Sequence, residues 1–174
     1  MHVIISSSLR TNSNSRKMAL LAKQLIGSDS YLIDLQDYSL PLCDGSSNKP
    51  DAIDYVKAKI DSAHSIILAG PVYNYDLNAA AKNFIEWTGS AWNKKVVACM
   101  LAAGGKNSYM APLSFMNSLM LDFRCIVVPR YVYADRFAFA EGEIDAKVVT
   151  RIEELINYTT KLGTTIHQFH QDLL

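Results

Sequence analysis

The chain has 174 residues, 49% of them apolar, and carries 17 Lys+Arg against 17 Asp+Glu. That length suits one domain, 1–174, which buries roughly two thirds of its unfolded surface and needs no disulfide or metal staple. The neutral balance leaves no whole-molecule field for duplex nucleic acid or an anionic membrane, and no stretch reaches the ~18–20 apolar residues of a membrane span.

Met1-His2-Val3-Ile4-Ile5 opens as a buried strand rather than as a secretion signal, so the expectation is a soluble, cytoplasmic protein. A polar stretch follows, then a helix over about 15–26, and Tyr31-Leu32-Ile33 is the second strand. A loop with Pro41 and Gly45 leads to a helix over about 50–63, where Ile53, Val56 and Ile60 recur at three-to-four spacing and Pro50 suits the first turn. Ser65-Ile66-Ile67-Leu68-Ala69 is the third strand, and a helix over about 78–88 comes after it. Lys95 to Leu101 is the fourth strand, 108–121 reads as helix, and Cys125-Ile126-Val127-Val128 ends at Pro129 as the fifth. After a long loop, a helix over about 146–167 closes the chain.

Five strands alternating with five helices predict an α/β architecture with a parallel sheet. Strands without polar alternation fit a sheet covered on both faces, and order 2-1-3-4-5 is the leading solution. Ligands in such sheets sit beyond the carboxyl ends of the strands, where the order reverses. The loops after Ile5, Leu68 and Leu101 are therefore the ones to read.

The first of them, Ser6-Ser7-Ser8-Leu9-Arg10-Thr11-Asn12-Ser13-Asn14-Ser15, gathers hydroxyls, amides and one guanidinium ahead of a helix N-terminus. Unpaired N–H groups there make a prepared site for phosphate, to which Ser8, Ser13 and Ser15 could donate and Arg10 could add a charge-assisted bond. Helix capping is the simpler explanation, but one cap needs one such residue. Neither G-x-G-x-x-G nor G-x-x-x-x-G-K-[ST] is present, which favours the single phosphate of a mononucleotide. The second loop, Gly70-Pro71-Val72-Tyr73-Asn74-Tyr75-Asp76, suits a flat heteroaromatic ring, and equally a Pro-initiated turn. In the third, Gly104 and Gly105 would let backbone approach a ligand and supply unusual φ angles, although Gly-Gly also marks ordinary turns.

In this order the three loops resemble the flavodoxin-like NAD(P)H-dependent FMN reductases, the group that includes quinone and chromate reductases. Ser7-Ser8-Leu9-Arg10-Thr11-Asn12-Ser13-Asn14-Ser15 stands for the family's Gly-Ser-x-Arg-x-x-Ser-x-Asn, with Ser7 for Gly and Ser15 for Asn. Pro71, Tyr73, Asn74, Lys82 and Asn83 match Pro-Glu-Tyr-Asn and the helix opening Pro-Gly-x-Leu-Lys-Asn, while Val72 replaces Glu and Asn78-Ala79 replaces Pro-Gly. Glu86-Trp87 falls where the family often has Asp-Trp.

The resemblance implies a flavodoxin-like three-layer sandwich binding FMN, with NADPH or NADH as co-substrate and a small-molecule acceptor such as a quinone or free flavin. It implies phosphate on Ser8, Arg10, Ser13 and Ser15, the isoalloxazine against Pro71, Val72, Tyr73 and Asn74, and Gly104 and Gly105 near its pyrimidine side. No catalytic side chain is expected, because the flavin carries the chemistry. No metal site is expected either: Cys43, Cys99 and Cys125 are widely spaced and read as buried free thiols, and the His167/His170 pair reads as solvated.

The helix with Met110, Leu113, Phe115, Met116, Leu119, Met120 and Leu121 is apolar on more than one face and reads as the surface of a homodimer or homotetramer, or as a helix buried in its own domain. Tyr131, Tyr133, Phe137 and Phe139 are placed at the nicotinamide pocket or at the same interface. The alternative function is a flavin-binding electron carrier that does not oxidise NAD(P)H; neutral charge and Arg10 count against it. A phosphatase of this fold needs Cys-x5-Arg, which no cysteine here supplies, and a receiver domain needs carboxylates where Ser6-Ser7-Ser8 stand.

Overall fold

The computed structural model describes residues 1–46 and 49–172. Strands β1 (His2–Ser6), β2 (Ser30–Asp34), β3 (Ser65–Tyr73), β5 (Val96–Ala103) and β6 (Ile126–Val127) run parallel in the order β2-β1-β3-β5-β6. The expected five-stranded sheet is corrected to seven strands among the described residues: β4 (Asp76–Leu77) folds back antiparallel on β3, and β7 (Val132–Asp135) adds to β5.

The outer strand is broken for a physical reason. Val127 pairs with Val97 and Val132 with Met100, so Ala98 and Cys99 face four residues, Val128 to Tyr131. Pro129 sits in that bulge, where its missing N–H removes nothing from the ladder.

Among the described residues, five helices cover the two faces. Helices α1 (Asn14–Ile26) and α5 (Ala146–Asp172) lie on one; α2 (Ala52–Asp61), α3 (Ala79–Thr88) and α4 (Leu113–Leu121) lie on the other. Along β1, Val3 and Ile5 enter the core under α2 and α3, while Ile4 enters the core under α1 and α5. Both sides of the sheet are thus dry, which is why its strands carry no polar alternation.

Helix α4 starts at Leu113 and not at residue 108. Pro112 disfavours a helical residue before it, and Ser108 to Pro112 instead winds through turns closed by Ala111 N–H to Ser108 O and Leu113 N–H to Met110 O. On this helix Phe115, Met116 and Leu119 are buried, whereas Met110, Leu113, Met120 and Leu121 stay exposed along or before it.

The histidines also depart from expectation. At the amino-terminal edge of the sheet the His167 ring stacks on His64 at 4.3 Å, and His64 meets His2 edge-on at 5.6 Å. His167 is therefore not part of a freely solvated pair. Cys99 and Cys125 are buried, and burial pushes both thiols up to about 12; Cys43 is only half-buried, against the expectation for it. No helix among the described residues is long and apolar enough to cross a membrane.

Candidate functional site

Loops leave the carboxyl ends of β1, β3 and β5 side by side. In the first, Ser7 N–H donates to Ala69 O at 2.9 Å, continuing the ladder one residue past β1. Ser8 is almost wholly buried and its Oγ accepts from Arg10 N–H at 3.3 Å. The Gln36 side-chain amide donates to the carbonyls of Ser8 and Arg10, at 3.2 and 3.0 Å, and so fixes the loop from the end of β2.

Ser13 caps α1: its backbone is extended, and its Oγ accepts from Arg16 N–H at 3.4 Å. Its hydroxyl also bonds that of the fully buried Ser15 at 2.9 Å. The N–H groups of Asn14 and Ser15 find no acceptor among the described residues, as the first turn of a helix requires. Arg10 is exposed and makes no ion pair among the described residues. Arg16, by contrast, is held by the buried Asp34 carboxylate at 2.5 Å.

The second loop is a two-residue hairpin. Tyr73 pairs with Asp76, and Asn74 and Tyr75 between them both have positive φ, 51° and 61°. That is a type I′ turn, which asparagine accepts readily and tyrosine does not. Ser114 Oγ donates to the Asp76 carboxylate at 2.8 Å, securing the hairpin to α4.

Asn78, at the amino end of α3, joins the first two loops. Ser7 Oγ donates to its Oδ1 at 2.8 Å, and its Nδ2 donates to Ser7 O at 2.7 Å. Gly70 makes room for this pair, since a Cβ there would stand 2.6 Å from Ser7 Oγ.

In the third loop neither Gly104 nor Gly105 has positive φ, contrary to the unusual angles expected of them. A Cβ on either would meet nothing within 4 Å, so both leave open space above the sheet edge. Tyr133, on β7, donates its hydroxyl to Gly105 O and shares a hydrogen bond with Ser108 Oγ at 2.9 Å. Burial pushes the neighbouring Tyr131 hydroxyl up to about 12, keeping it a donor to Tyr109 O.

Between the hairpin and this loop lies an open cleft of about 380 Å³, lined by Val72, Asn74, Tyr75, Gly105, Lys106, Asn107 and Ser108. Of the sequence-predicted residues, Val72, Asn74 and Gly105 line it, with Gly104 adjacent in the chain. Pro71 lies inside β3, paired with Ala102, and Tyr73 is exposed at the base of the hairpin; neither belongs to that lining. Ser8 and Arg10 lie in the first loop, joined by the Arg10 N–H, while Ser13 and Ser15 stand at the start of α1, joined through their hydroxyls. Sequence reading held Tyr75 and Lys106 only as members of their loops, without a role of their own, and missed the Ser7–Asn78 link. The -Tyr-Asn-Tyr-Asp- run between extended residues was the available sign of a two-residue turn.

The residues fit a mononucleotide carrying a flat ring. Free N–H donors and hydroxyls stand at one helix start, a few residues after the unpaired Arg10, and a cleft lined by Tyr75 opens at the neighbouring hairpin. Asn83 and Trp87 support the site from below: Asn83 Oδ1 accepts from Cys43 N–H at 2.8 Å, while Asn83 Nδ2 and Trp87 Nε1 both donate to Pro41 O, at 3.0 and 2.8 Å. They hold the long β2–α2 connection against α3.

Comparisons with known proteins show the family and the fold. The chain is 28% identical over 151 residues to an NADPH azoreductase of Bacillus sp. strain OY1-2, covering 83% of each chain. Among solved structures it superposes on an oxidoreductase of Corynebacterium diphtheriae with TM-score 0.81 and 18% identity, covering 94% of this chain and 96% of that one. On the flavoenzyme NAD(P)H:(acceptor) oxidoreductase of Paracoccus denitrificans the TM-score is 0.75 at 18% identity, covering 94% and 97%. These two likenesses show the fold. The sequence pattern of one family matches residues 2–139, and on that match the chain belongs to the NADPH-dependent FMN reductases.

Proposed function

We propose that residues 1–174 act as one FMN-binding domain whose β1–α1 loop holds the phosphate and whose two other loops hold the ring. Ser8, Ser13 and the first-turn N–H groups of α1 donate to the phosphate, Arg10 supplies its counter-charge, and Ser15 orients Ser13. Val72, Asn74 and Tyr75 take one side of the ring, Pro71 and Tyr73 position the hairpin, and Gly104 and Gly105 leave room at the other side. FMN supplies hydride chemistry when bound, accepting from NADPH or NADH and passing reducing equivalents to a quinone, free flavin or azo compound. The chain's part is to fix the two rings and to offer backbone donors where charge develops, which calls for no acid or base side chain.

The observation that carries this reading is the junction of the free Arg10 and α1 start with the hairpin cleft through Ser7 and Asn78. The exposed Met110, Leu113, Met120 and Leu121 support assembly as a homodimer or homotetramer, and unpaired thiols fit a reducing cytoplasm. An anaerobic absorption spectrum of the FMN-loaded protein tests the function: NADPH bleaches the flavin band. A band that stays oxidised leaves an electron carrier in its place.

A further inference from the structure

Beyond the ring cleft lies a second open cleft of about 710 Å³, and Lys106 borders both. Tyr133 lines the second cleft, and its hydroxyl holds the carbonyl of Gly105, which lines the first. Three cations line the second cleft, Lys106, Lys147 and Arg151, against two carboxylates, Asp135 and Asp145.

The carboxylates are turned to backbone. Asp135 accepts from Phe137 N–H at 3.0 Å and Asp145 from Lys147 N–H at 2.9 Å. None of the three cations makes an ion pair among the described residues. Arg151 gives one N–H to Tyr133 O at 3.1 Å, which orients the guanidinium and leaves its remaining donors for a ligand. Beside these charges Phe137 is 67% exposed in the same lining, with the Arg136 guanidinium over one face of its ring at 4.8 Å and the other face left for a ligand.

Uncommitted cations next to an exposed aromatic ring are the features that take an adenosine phosphate. The order along the surface is ring cleft, then Lys106, then the cation-lined cleft. The order along a nicotinamide dinucleotide is nicotinamide, then diphosphate, then adenosine. We infer that the second cleft receives the adenosine end of NADPH, with Lys106 meeting the diphosphate, Lys147 and Arg151 the 2′-phosphate, and Phe137 the adenine. The inference rests on the function proposed above, because it needs nicotinamide in the first cleft. It makes Lys147 and Arg151 the residues that choose NADPH over NADH.

The test is calorimetric titration of the FMN-loaded protein with adenosine 2′,5′-bisphosphate and with 5′-AMP, which lacks the 2′-phosphate. The bisphosphate binds about tenfold tighter, the effect of a charge-assisted bond. Lys147→Ala erases that margin and Lys147→Arg keeps it. Equal binding of the two nucleotides by the unaltered protein overturns the inference, as does a margin that survives in Lys147→Ala. Flavin bleaching by NADPH, run on the same preparation, separates the two failures. Bleaching without a nucleotide margin removes this inference alone; flavin left oxidised removes the proposed function and this inference with it.

Discussion

Ser7 and Asn78 lie 71 residues apart in sequence yet hold each other by two hydrogen bonds, Ser7 Oγ to Asn78 Oδ1 at 2.8 Å and Asn78 Nδ2 to Ser7 O at 2.7 Å. Both are buried, so neither bond competes with water. The pair fastens the β1–α1 loop, proposed above for the phosphate, to the start of α3, and that loop thereby keeps its place against the β3–β4 hairpin. Asn78→Ala removes the side-chain donor from the Ser7 carbonyl and leaves the Ser7 hydroxyl only the Ala69 carbonyl, 3.3 Å away. The expected cost is about 1–3 kcal/mol of stability, together with weaker FMN binding, read by urea unfolding and flavin titration. Unfolding at the unaltered midpoint would remove the pair from its role.

Arg10 and Arg16 stand six residues apart and are predicted to fail differently. Arg10 is exposed and unpaired among the described residues, so Arg10→Ala leaves unfolding nearly unchanged and weakens FMN binding about tenfold. Arg16 neutralises a buried carboxylate, so Arg16→Ala strands Asp34 and lowers stability by about 1–3 kcal/mol. Both variants are followed by flavin titration and by unfolding. If Arg16→Ala proves the poorer flavin binder with its stability intact, the phosphate assignment is wrong.

Gly163 sits in the middle of α5, where alanine would by propensity alone stabilise the helix by about 1 kcal/mol. Here a Cβ would stand 2.7 Å from Ser65 Cβ and 2.9 Å from the His64 carbonyl oxygen. Those atoms belong to the start of β3 and cannot swing aside, so the helix must back away from the sheet. Overpacking of this kind costs about 1–3 kcal/mol and outweighs the propensity gain. Gly163→Ala therefore melts lower, and a variant melting higher would show that α5 has slack over β3.

Acid acts at the same edge of the sheet. Burial pushes the His2 imidazole down to about 4, and Asp29, 3.5 Å away, opposes this only partly. His64 and the Met1 amino group also face it and disfavour its charge; Ser65 Oγ bonds its Nδ1 at 2.8 Å. In an unfolded chain the imidazole titrates near ~6.5, so between that value and about 4 the unfolded state holds more protons. Stability is full above the unfolded value and falls as pH drops through the window, by a few kcal/mol at most. Burial pushes His64 in the same direction and adds to the loss. Chemical unfolding at pH 7.5 and pH 5 checks this: His2→Gln loses less between the two than the unaltered protein, and equal losses would assign the acid sensitivity elsewhere.

How far the sequence discloses all this depends on distance along the chain. The apolar runs at Val3-Ile4-Ile5, Ile66-Ile67-Leu68 and Val96-Val97-Ala98 mark the central strands, because a strand buried on both faces has little room for polar residues. Strand β4 has two residues, too few for any period, and β7 lies beyond a proline that reads as a stop although Tyr131-Val132-Tyr133 after it are strand formers. The Ser-rich loop and its arginine are legible as local composition. The Ser7–Asn78 bridge, the stacking of His64 on His167 and the placing of Lys106 and Lys147 along one cleft are tertiary juxtapositions, which no local spacing announces.

Tyr75 has φ of 61° and is 68% exposed, so it is held in a left-handed conformation without the compensation of burial. A side chain in that region costs about 1–2 kcal/mol relative to glycine, which occupies it freely. Stability alone would place glycine after Asn74, as the commonest type I′ turns do. The tyrosine ring instead lines the cleft between the hairpin and the Gly104-Gly105 loop. Tyr75→Gly is thus expected to raise the melting temperature while weakening FMN binding and slowing flavin reduction by NADPH. Thermal unfolding and anaerobic stopped-flow on the same preparation measure both. A variant that gains stability and reduces its flavin at the original rate would show that the strained ring contributes nothing to the site.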